Sequence, residues 1–249
     1  MELPELVRRL FPPGAVCTFI GAGGKSTAMR AVARILSARG IRVRMTTTTR
    51  VGIAEFMGFP VSRAETAAEV LQACDNPEPV RLIVADELSA QGKYAGLDPS
   101  LVEGLKICSD SVLLVEGDGS RRRPLKVPTQ REPVIPANSS MVLALMGASG
   151  FNEPIDEEHC YNHEATSGIL APGARRFDAA CVAALASSPA GSRKGVMPGM
   201  GFHVLLNQAD LADKRAIGSD ALQILLTTQG IRGSLLSLRQ EAVYETTVA

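Results

Sequence analysis

The sequence predicts an α/β fold in which a mostly parallel sheet is sandwiched between helices. Short apolar runs alternate with amphipathic or polar segments along the 249 residues, as they do where helices connect parallel strands. Hydrophobic side chains make up 45% of the chain, which is enough to bury a good core. We therefore expect one α/β domain over residues 1–249, in which the part from about residue 150 onwards is a candidate for a small C-terminal subregion.

The predicted strands and helices follow one another in that alternating order. Gly14–Ile20 is the first predicted strand, and Gly40 ends a helix predicted over Ser26–Arg39, whose apolar residues have helical spacing. Further strands are predicted at Val43–Thr46, Leu82–Ala85, Ser111–Val115, Met141–Leu145 and His203–Leu206. Further helices are predicted at Glu65–Cys74, Pro99–Cys108, Asp178–Ala186 and Lys214–Thr228. The Pro-, Gly- and Ser-rich stretch Ser187–Gly201 is predicted to be an exposed loop.

Composition argues against several classes of protein. Twenty-six basic residues balance twenty-six acidic ones, and no basic patch is interleaved with aromatic residues, so nucleic acid is a poor candidate partner. The five cysteines are odd in number and include no Cys-x-x-Cys pair, which argues against a disulfide framework and a zinc ribbon. No apolar run approaches the roughly 18 residues of a membrane helix. The sequence thus predicts a cytoplasmic protein with no membrane partner.

Residues 21–27, Gly-Ala-Gly-Gly-Lys-Ser-Thr, lie between the first predicted strand and the first predicted helix. A triphosphate-binding loop needs backbone N–H groups that point inward, glycines that let the backbone approach, a lysine at the outer phosphates and a hydroxyl for magnesium. This segment has all four features, and it predicts a P-loop NTPase-like fold that binds ATP or GTP with Mg²⁺. The alternative is a tight strand-to-helix turn without a ligand. The residues assigned to nucleotide binding here are Gly21, Ala22, Gly23, Gly24, Lys25, Ser26 and Thr27, with Ser26 also a magnesium ligand.

The loop departs from the usual Walker A pattern at one position. Phe19 stands five residues before Gly24, where that pattern has glycine. The resulting short form, G-x-x-G-K-S, resembles the loop of Mur-type ligases and their relatives. The departure argues against an ordinary GTPase or ATPase but not against nucleotide binding.

Two carboxylates follow a later apolar strand. Ser111–Val115 runs into Glu116-Gly117-Asp118-Gly119, and such a strand delivers acidic residues to the edge of the sheet that carries the phosphate loop, as a Walker B segment does. Glu116 is predicted to organise magnesium or activate a nucleophile, and Asp118 to bind the ion through water. The flanking glycines make a plain turn the alternative.

Arg121, Arg122, Arg123 and Lys126 come directly after these carboxylates. A basic run of this kind is often a solvated face. Its position, however, predicts that at least one of the four side chains meets a phosphate or an anionic substrate. We assign catalytic roles to Lys25, Glu116, Asp118 and Arg123.

Two other strand ends supply candidate nucleotide contacts. Thr48 and Arg50 follow the second predicted strand, where ligands bind in open α/β folds. Arg50 has a fork of donors suited to phosphate, whereas threonine is also a common strand residue. Asn207 and Asp210 belong to Asn-Gln-Ala-Asp, which is similar to the N-K-x-D segment that reads guanine in GTPases, although a helix-capping turn is equally compatible with it.

His159, Cys160 and His163 are close in sequence and have the spacing of soft metal or selenium ligands. A polar surface loop is the favoured interpretation, because no other clustered ligands complete a site.

Taken together, several of these segments resemble the YqeC family, which comprises accessory proteins of selenium-dependent molybdenum hydroxylases. The most specific signal is E-x-D-G-S-x-x-R-P-L-K over residues 116–126 followed by Glu-Pro-Val-Ile-Pro over residues 132–136. Gly117 stands where we expect alanine, and residues 160–164 match the family's His-Arg-Pro-Glu segment poorly, so that no family role carries over to Tyr161 or His163. The resemblance implies a role in equipping a molybdenum hydroxylase with its selenium-containing cofactor.

Three functions are compatible with these residues. The first is a Mg²⁺-dependent NTPase or nucleotide-using transferase. The second is a ligase or small-molecule kinase, with a second pocket lined by residues 126–136. The third is a nucleotide-gated binding protein that docks on a molybdenum hydroxylase or hands over its cofactor without appreciable turnover.

Overall fold

The structure is a computed structural model that describes residues 1–247. Its strands are β1 Val16–Gly21, β2 Arg42–Thr47, β3 Val51–Gly52, β4 Val61–Arg63, β5 Val80–Val84, β6 Asp86–Leu88, β7 Lys93–Ala95, β8 Ser111–Glu116, β9 Leu125–Lys126, β10 Met141–Gly147, β11 Cys160–Tyr161, β12 Gly201–Asn207, β13 Arg232–Ser237 and β14 Ala242–Thr246. Its helices are α1 Leu3–Leu10, α2 Lys25–Ser37, α3 Ala67–Asp75, α4 Pro99–Glu103, α5 Ala179–Ser187 and α6 Ala212–Gln229.

The centre of the fold is a nine-stranded sheet with the order β14-β13-β12-β10-β1-β8-β2-β5-β4. All neighbours in it are parallel except β13 and β14. A small antiparallel sheet of β3, β7 and β6 and a parallel pair of β9 and β11 stand beside it. The α/β fold class with a mostly parallel sheet, of the kind found in P-loop NTPases, is confirmed.

Helices cover both faces of this sheet, as the alternation of side chains along β10 shows. Leu143 and Leu145 belong to a core formed with α1 and α2, whereas Met146 belongs to a second core formed with α5 and α6. Successive strand residues point to opposite faces, so a strand buried on both sides is apolar throughout. This explains the continuous apolar run of β10, and it places α2 and its N-terminus on one face of the sheet.

Each strand and helix predicted from the sequence is present, but some bounds differ. α4 ends at Glu103, short of the predicted end at Cys108. Gly104 is its C-cap, and glycine has a low propensity for the interior of a helix. Residues 188–200 are irregular as predicted, yet Gly191 and Ser192 are buried, so this loop is not exposed throughout. α1, β4, β13, β14, the pair of β9 and β11 and the small three-stranded sheet were not predicted.

Two further expectations concern the cysteines and membrane spans. The five cysteines are free, and Cys17, Cys160 and Cys181 are buried packing residues, whereas Cys108 is exposed. Among residues 1–247, none of the helices combines the length and apolar character that crossing a bilayer requires.

Candidate functional site

The glycine-rich loop connects β1 to α2 and lies against the end of β10. Gly21, Gly23 and Gly24 have φ angles of +90°, +81° and +107°, which residues with a Cβ rarely adopt. A Cβ at Gly21 would lie 2.3 Å from the carbonyl oxygen of Leu145, and one at Gly23 would lie 2.2 Å from the backbone nitrogen of Gly147. The loop therefore requires glycine at these positions both for its backbone conformation and for its close packing.

Lys25, the first residue of α2, has a buried ammonium group surrounded by oxygen atoms. Its Nζ donates to the carbonyl oxygen of Gly21 at 2.7 Å and lies 3.2 Å from Asp118 and 3.8 Å from Glu116. Burial acts to lower the pKa of Lys25, but the carboxylates of Asp118 and Glu116 outweigh it and hold that pKa above its usual value. The lysine is therefore positively charged at neutral pH.

Asp118, which follows β8, connects the end of that strand to the glycine-rich loop. Both of its carboxylate oxygens accept a hydrogen bond from the N–H of Gly21 at 3.0 Å. It also lies 3.0 Å from Nζ of the buried Lys126, which in turn is 2.7 Å from Glu132. With two lysines and a backbone N–H as partners, Asp118 orients the loop, and this placement does not support the predicted role as a magnesium ligand.

Ser26 meets two carboxylates at the N-terminus of α2. Its hydroxyl group donates to Glu55 and lies 3.1 Å from Oε2 of Glu116. Glu116 is the last residue of β8 and is buried, and this burial raises its pKa to about 7, opposed by Lys25 and assisted by the charge of Glu55. Three side-chain oxygens of the types that bind hard cations are thus gathered beside Lys25.

Glu55 is the member of this set that the sequence analysis missed. It lies in a short 3-10 helix, Ile53–Phe56, which follows β3, and the neighbouring Phe56 is buried in the core shared with α2. The sequence predicts neither a strand nor a phosphate-binding loop in this segment, so nothing marks it as part of a site. Only the packing of the 3-10 helix against α2 brings Glu55 to Ser26.

These residues line a cavity of about 730 Å³ at the carboxyl edge of the sheet. One wall is the loop and the start of α2, the second comes from the segments around β3 and β7, and the third is the loop that follows β8. The lining consists of residues 23–27, 50–52, 91–93 and 119–123 together with Arg30, Glu55, Glu116 and Gln208. The structure thus brings Gly23, Gly24, Lys25, Ser26, Thr27, Arg50, Glu116 and Arg123 together as predicted.

Gly21, Ala22, Thr48 and Asp118 are not among the cavity-lining residues in the part of the chain that the structure describes. The N–H of Ala22 donates to Leu145, and the hydroxyl group of Thr48 donates to the carbonyl oxygen of Val134 at 3.1 Å. Thr48 therefore stabilises the chain beside the site, and its predicted contact with the nucleotide is not supported by this geometry.

Asn207 and Asp210 also lie outside the cavity lining within residues 1–247. The amide of Asn207 donates to the carbonyl oxygen of Gly23 at 2.8 Å, and its oxygen accepts the N–H of Leu238 at 3.0 Å. Asp210 accepts a hydrogen bond from Ser237. These hydrogen bonds hold the glycine-rich loop and β13, so the geometry does not favour the base-reading interpretation. It does not favour the helix-capping interpretation either, because no side chain caps α6.

Gln208, between these two residues, is the one that lines the cavity. Its φ angle of +67° is unusual for a residue with a side chain, and its side-chain oxygen accepts a hydrogen bond from Ser149 at 2.7 Å. The N-Q-x-D pattern predicted a role for its neighbours Asn207 and Asp210 and none for Gln208.

The cluster of His159, Cys160 and His163 does not form a metal site. His159 pairs with Asp156 at 2.8 Å, and burial raises the pKa of the Cys160 thiol to about 12. Within residues 1–247, no group of three or more His, Cys, Asp or Glu side chains is arranged to hold a metal ion. Tyr161 instead lies beneath Arg121, whose guanidinium carbon is 5.2 Å from the centre of the ring.

Comparison with known proteins identifies the family. The family model described as YqeC protein matches residues 17–164. A protein of Escherichia coli (strain K12) named "Uncharacterized protein YqeC" is 31% identical over 216 residues, which cover 84% of this chain and 82% of that protein. The chain belongs to the YqeC family. The segment that matches the YqeC model contains Lys25, Ser26, Glu55 and Glu116, whereas Gln208 lies outside it.

Proposed function

We propose that this member of the YqeC family binds a nucleoside triphosphate, ATP or GTP, with Mg²⁺ and acts as a hydrolase or a nucleotide-using transferase. One observation carries the proposal: the hydroxyl group of Ser26 lies between the carboxylates of Glu55 and Glu116, directly beside Lys25. Magnesium takes oxygen ligands and is usually held by one or two carboxylates together with phosphate oxygens. The residues present therefore fit this ion.

The loop supplies the complementary half of such a site. The N–H groups in the first turn of α2 have no partner within the helix, and together with the helix dipole they favour an anion at this end. Lys25 carries a charge that neutralises phosphate, and Arg123, which lines the same cavity, is placed to add a second one. In this arrangement Ser26, Glu55 and Glu116 would hold the ion, which neutralises charge on the phosphates when bound.

We further propose that nucleotide turnover serves the maturation of a molybdenum hydroxylase with a selenium-containing cofactor. This step rests on the resemblance of residues 116–126 and 132–136 to the family pattern. The alternative is a nucleotide-gated protein that hands over the cofactor with hydrolysis slow or absent.

Magnesium-dependent hydrolysis of ATP, GTP and CTP tests the proposal. Turnover is expected in the wild type, is lost in Lys25→Ala and Glu116→Ala, and persists in Lys106→Ala, which removes an exposed lysine that does not line the cavity. Circular dichroism checks that the inactive variants fold. Binding without turnover, even with a partner hydroxylase present, would favour the nucleotide-gated protein.

The position of Asp210 bears on the choice of base. Because its carboxylate accepts a hydrogen bond from Ser237 and does not line the cavity, we propose that it does not select guanine. Asp210→Asn should leave the ratio of ATP to GTP affinity unchanged. A shift of that ratio towards ATP would restore the base-reading interpretation.

A further inference from the structure

The charges that line the cavity are strongly unbalanced. The acidic residues among them are Glu55 and Glu116, which both lie at Ser26. The basic residues are Lys25, Arg30, Arg50, Lys93, Arg121, Arg122 and Arg123. Of these, Lys25 is already paired with carboxylates. The other six, of which Arg123 is assigned to the nucleotide, are available to ligands.

None of these six side chains forms an ion pair with a carboxylate within 4.0 Å in the described part of the chain. Arg30 also lacks a polar partner, because its Nε is buried and makes no hydrogen bond within residues 1–247. Arg50, Lys93, Arg121 and Arg122 are exposed, as on a solvated face, but all four line the same cavity as Lys25. Cations that converge on a cavity without counter-charges attract an anion there.

The loop that follows β8 holds two of these arginines in an unusual conformation. Arg121 and Arg122 have φ angles of +48° and +62°, in the left-handed region that residues with a Cβ seldom occupy. Such strain is concentrated at functional sites, where the surrounding structure maintains it. Here the surroundings include the ring of Tyr161 beneath Arg121 and the side chain of Lys126, which donates to the carbonyl oxygen of Gly119.

We propose that the cavity binds a second substrate, a small molecule that carries a phosphate group, against Arg121 and Arg122 and opposite the glycine-rich loop. This inference rests on the proposed function, because Lys25, Arg123, the α2 N-terminus and the ion at Ser26 would satisfy the phosphates of the nucleotide. The remaining cations then serve another anion.

Arginine is well suited to this task. Its planar guanidinium group contacts a phosphate through two parallel hydrogen bonds. Two consecutive arginines with fixed backbone conformation therefore recognise a phosphate group without selecting for the rest of the molecule. The remaining walls of the cavity, Arg50 and Lys93 among them, would select that remainder.

The test uses inorganic pyrophosphate as the probe and the full chain as the protein. A calorimetric titration first saturates the protein with Mg²⁺ and a non-hydrolysable ATP or GTP analogue, and pyrophosphate is then added. We expect a second binding event that is weakened at least about tenfold in Arg121→Gln/Arg122→Gln, whereas the affinity for the nucleotide analogue changes less than about threefold. Arg34→Gln/Arg39→Gln, which removes two exposed arginines of the α2 region, is the matched control and should behave as the wild type.

Two results would overturn the second site. The first is that pyrophosphate does not bind the nucleotide-loaded protein. The second is that the Arg121→Gln/Arg122→Gln variant loses affinity for the nucleotide as strongly as for pyrophosphate. That result would assign both arginines to the nucleotide itself. If no nucleotide binds, the proposed function fails separately. In that case Lys25→Ala is titrated with pyrophosphate alone, where binding that depends on Arg121 and Arg122 supports the second site and absence of binding contradicts it.

Discussion

The hydroxyl group of Ser26 donates a hydrogen bond to the carboxylate of Glu55, which lies 29 residues further along the chain. Ser26 is held by the first turn of α2, and Glu55 by a 3-10 helix whose Phe56 is buried against the same core. The contact therefore depends on how the segment after β3 packs on α2. It places the second carboxylate of the proposed magnesium site.

Replacing Glu55 tests this assignment. Glu55→Gln keeps the size of the side chain but removes its charge, so the Mg²⁺ concentration required for nucleotide binding should rise at least about tenfold. The measurement is a Mg²⁺ titration at a fixed concentration of a fluorescent nucleotide analogue. Glu87→Gln is the control, because Glu87 on β6 forms an ion pair with the exposed Arg63 on β4 and does not line the cavity. Equal Mg²⁺ requirements in the two variants would remove Glu55 from the site.

Substitution of two glycines with similar φ angles distinguishes how close packing and backbone conformation each affect the free energy of unfolding. Gly23 has a φ of +81° and Gly40 one of +79°, but a Cβ at Gly40 would have nothing within 4 Å. Gly40→Ala should therefore lower the free energy of unfolding by about 1–2 kcal/mol. Gly23→Ala should lower it by a further 1–3 kcal/mol or so and abolish nucleotide binding. Urea denaturation measures both, and equal losses would show that the loop tolerates a Cβ against Gly147.

The buried His203 predicts a specific dependence of stability on pH. Burial, assisted by the charge of Arg232, lowers the pKa of His203 from 6.5 to about 4, and its Nε2 pairs with Ser234 at 2.9 Å. The unfolded chain binds a proton at higher pH than the folded one, so the contribution of the neutral histidine is complete above pH 6.5 and is lost as the pH falls towards 4. The free energy of unfolding should fall by up to about 3 kcal/mol from this group.

His203→Gln provides the comparison, because glutamine is polar and does not titrate. The difference in unfolding free energy between the wild type and this variant should change between pH 6.5 and 4 and stay constant above pH 7. A difference that is constant over the whole range would show that His203 is protonated to the same extent in both states.

The sequence predicted those parts of the site that follow directly from strand ends. The loop after β1 and Glu116 after β8 each continue an apolar strand, so their position at one edge follows from the parallel sheet. Glu55 could not be predicted, because its position depends on tertiary packing and no local sequence pattern indicates it. The contacts of Asn207 with Gly23 and Leu238 could not be predicted for a related reason: they join segments that are distant in sequence and arise only in the folded chain.

The unpredicted parts of the fold have similar causes. β13 contains Gly233, and glycine has low strand propensity. Glycine is nevertheless favoured at position 233, because a Cβ there would lie 2.8 Å from the carbonyl oxygen of Val204 on β12 and 2.5 Å from the side chain of Leu222 on α6. Packing against α6 thus decides the conformation of this segment over its local preference. The strand β14 pairs with it at the edge of the sheet and alternates only weakly between buried and exposed side chains.

Calorimetric titration with ATP and GTP in the presence of Mg²⁺, comparing the wild type with Lys25→Ala, tests the central claim most directly. The account predicts saturable binding of at least one triphosphate to the wild type and a loss of at least about 1.4 kcal/mol, a tenfold weakening, in the variant. Because Lys25 also pairs with Asp118 and Glu116, circular dichroism must show that the variant is folded. Absence of triphosphate binding to the wild type, or equal affinity in a folded Lys25→Ala protein, would contradict it.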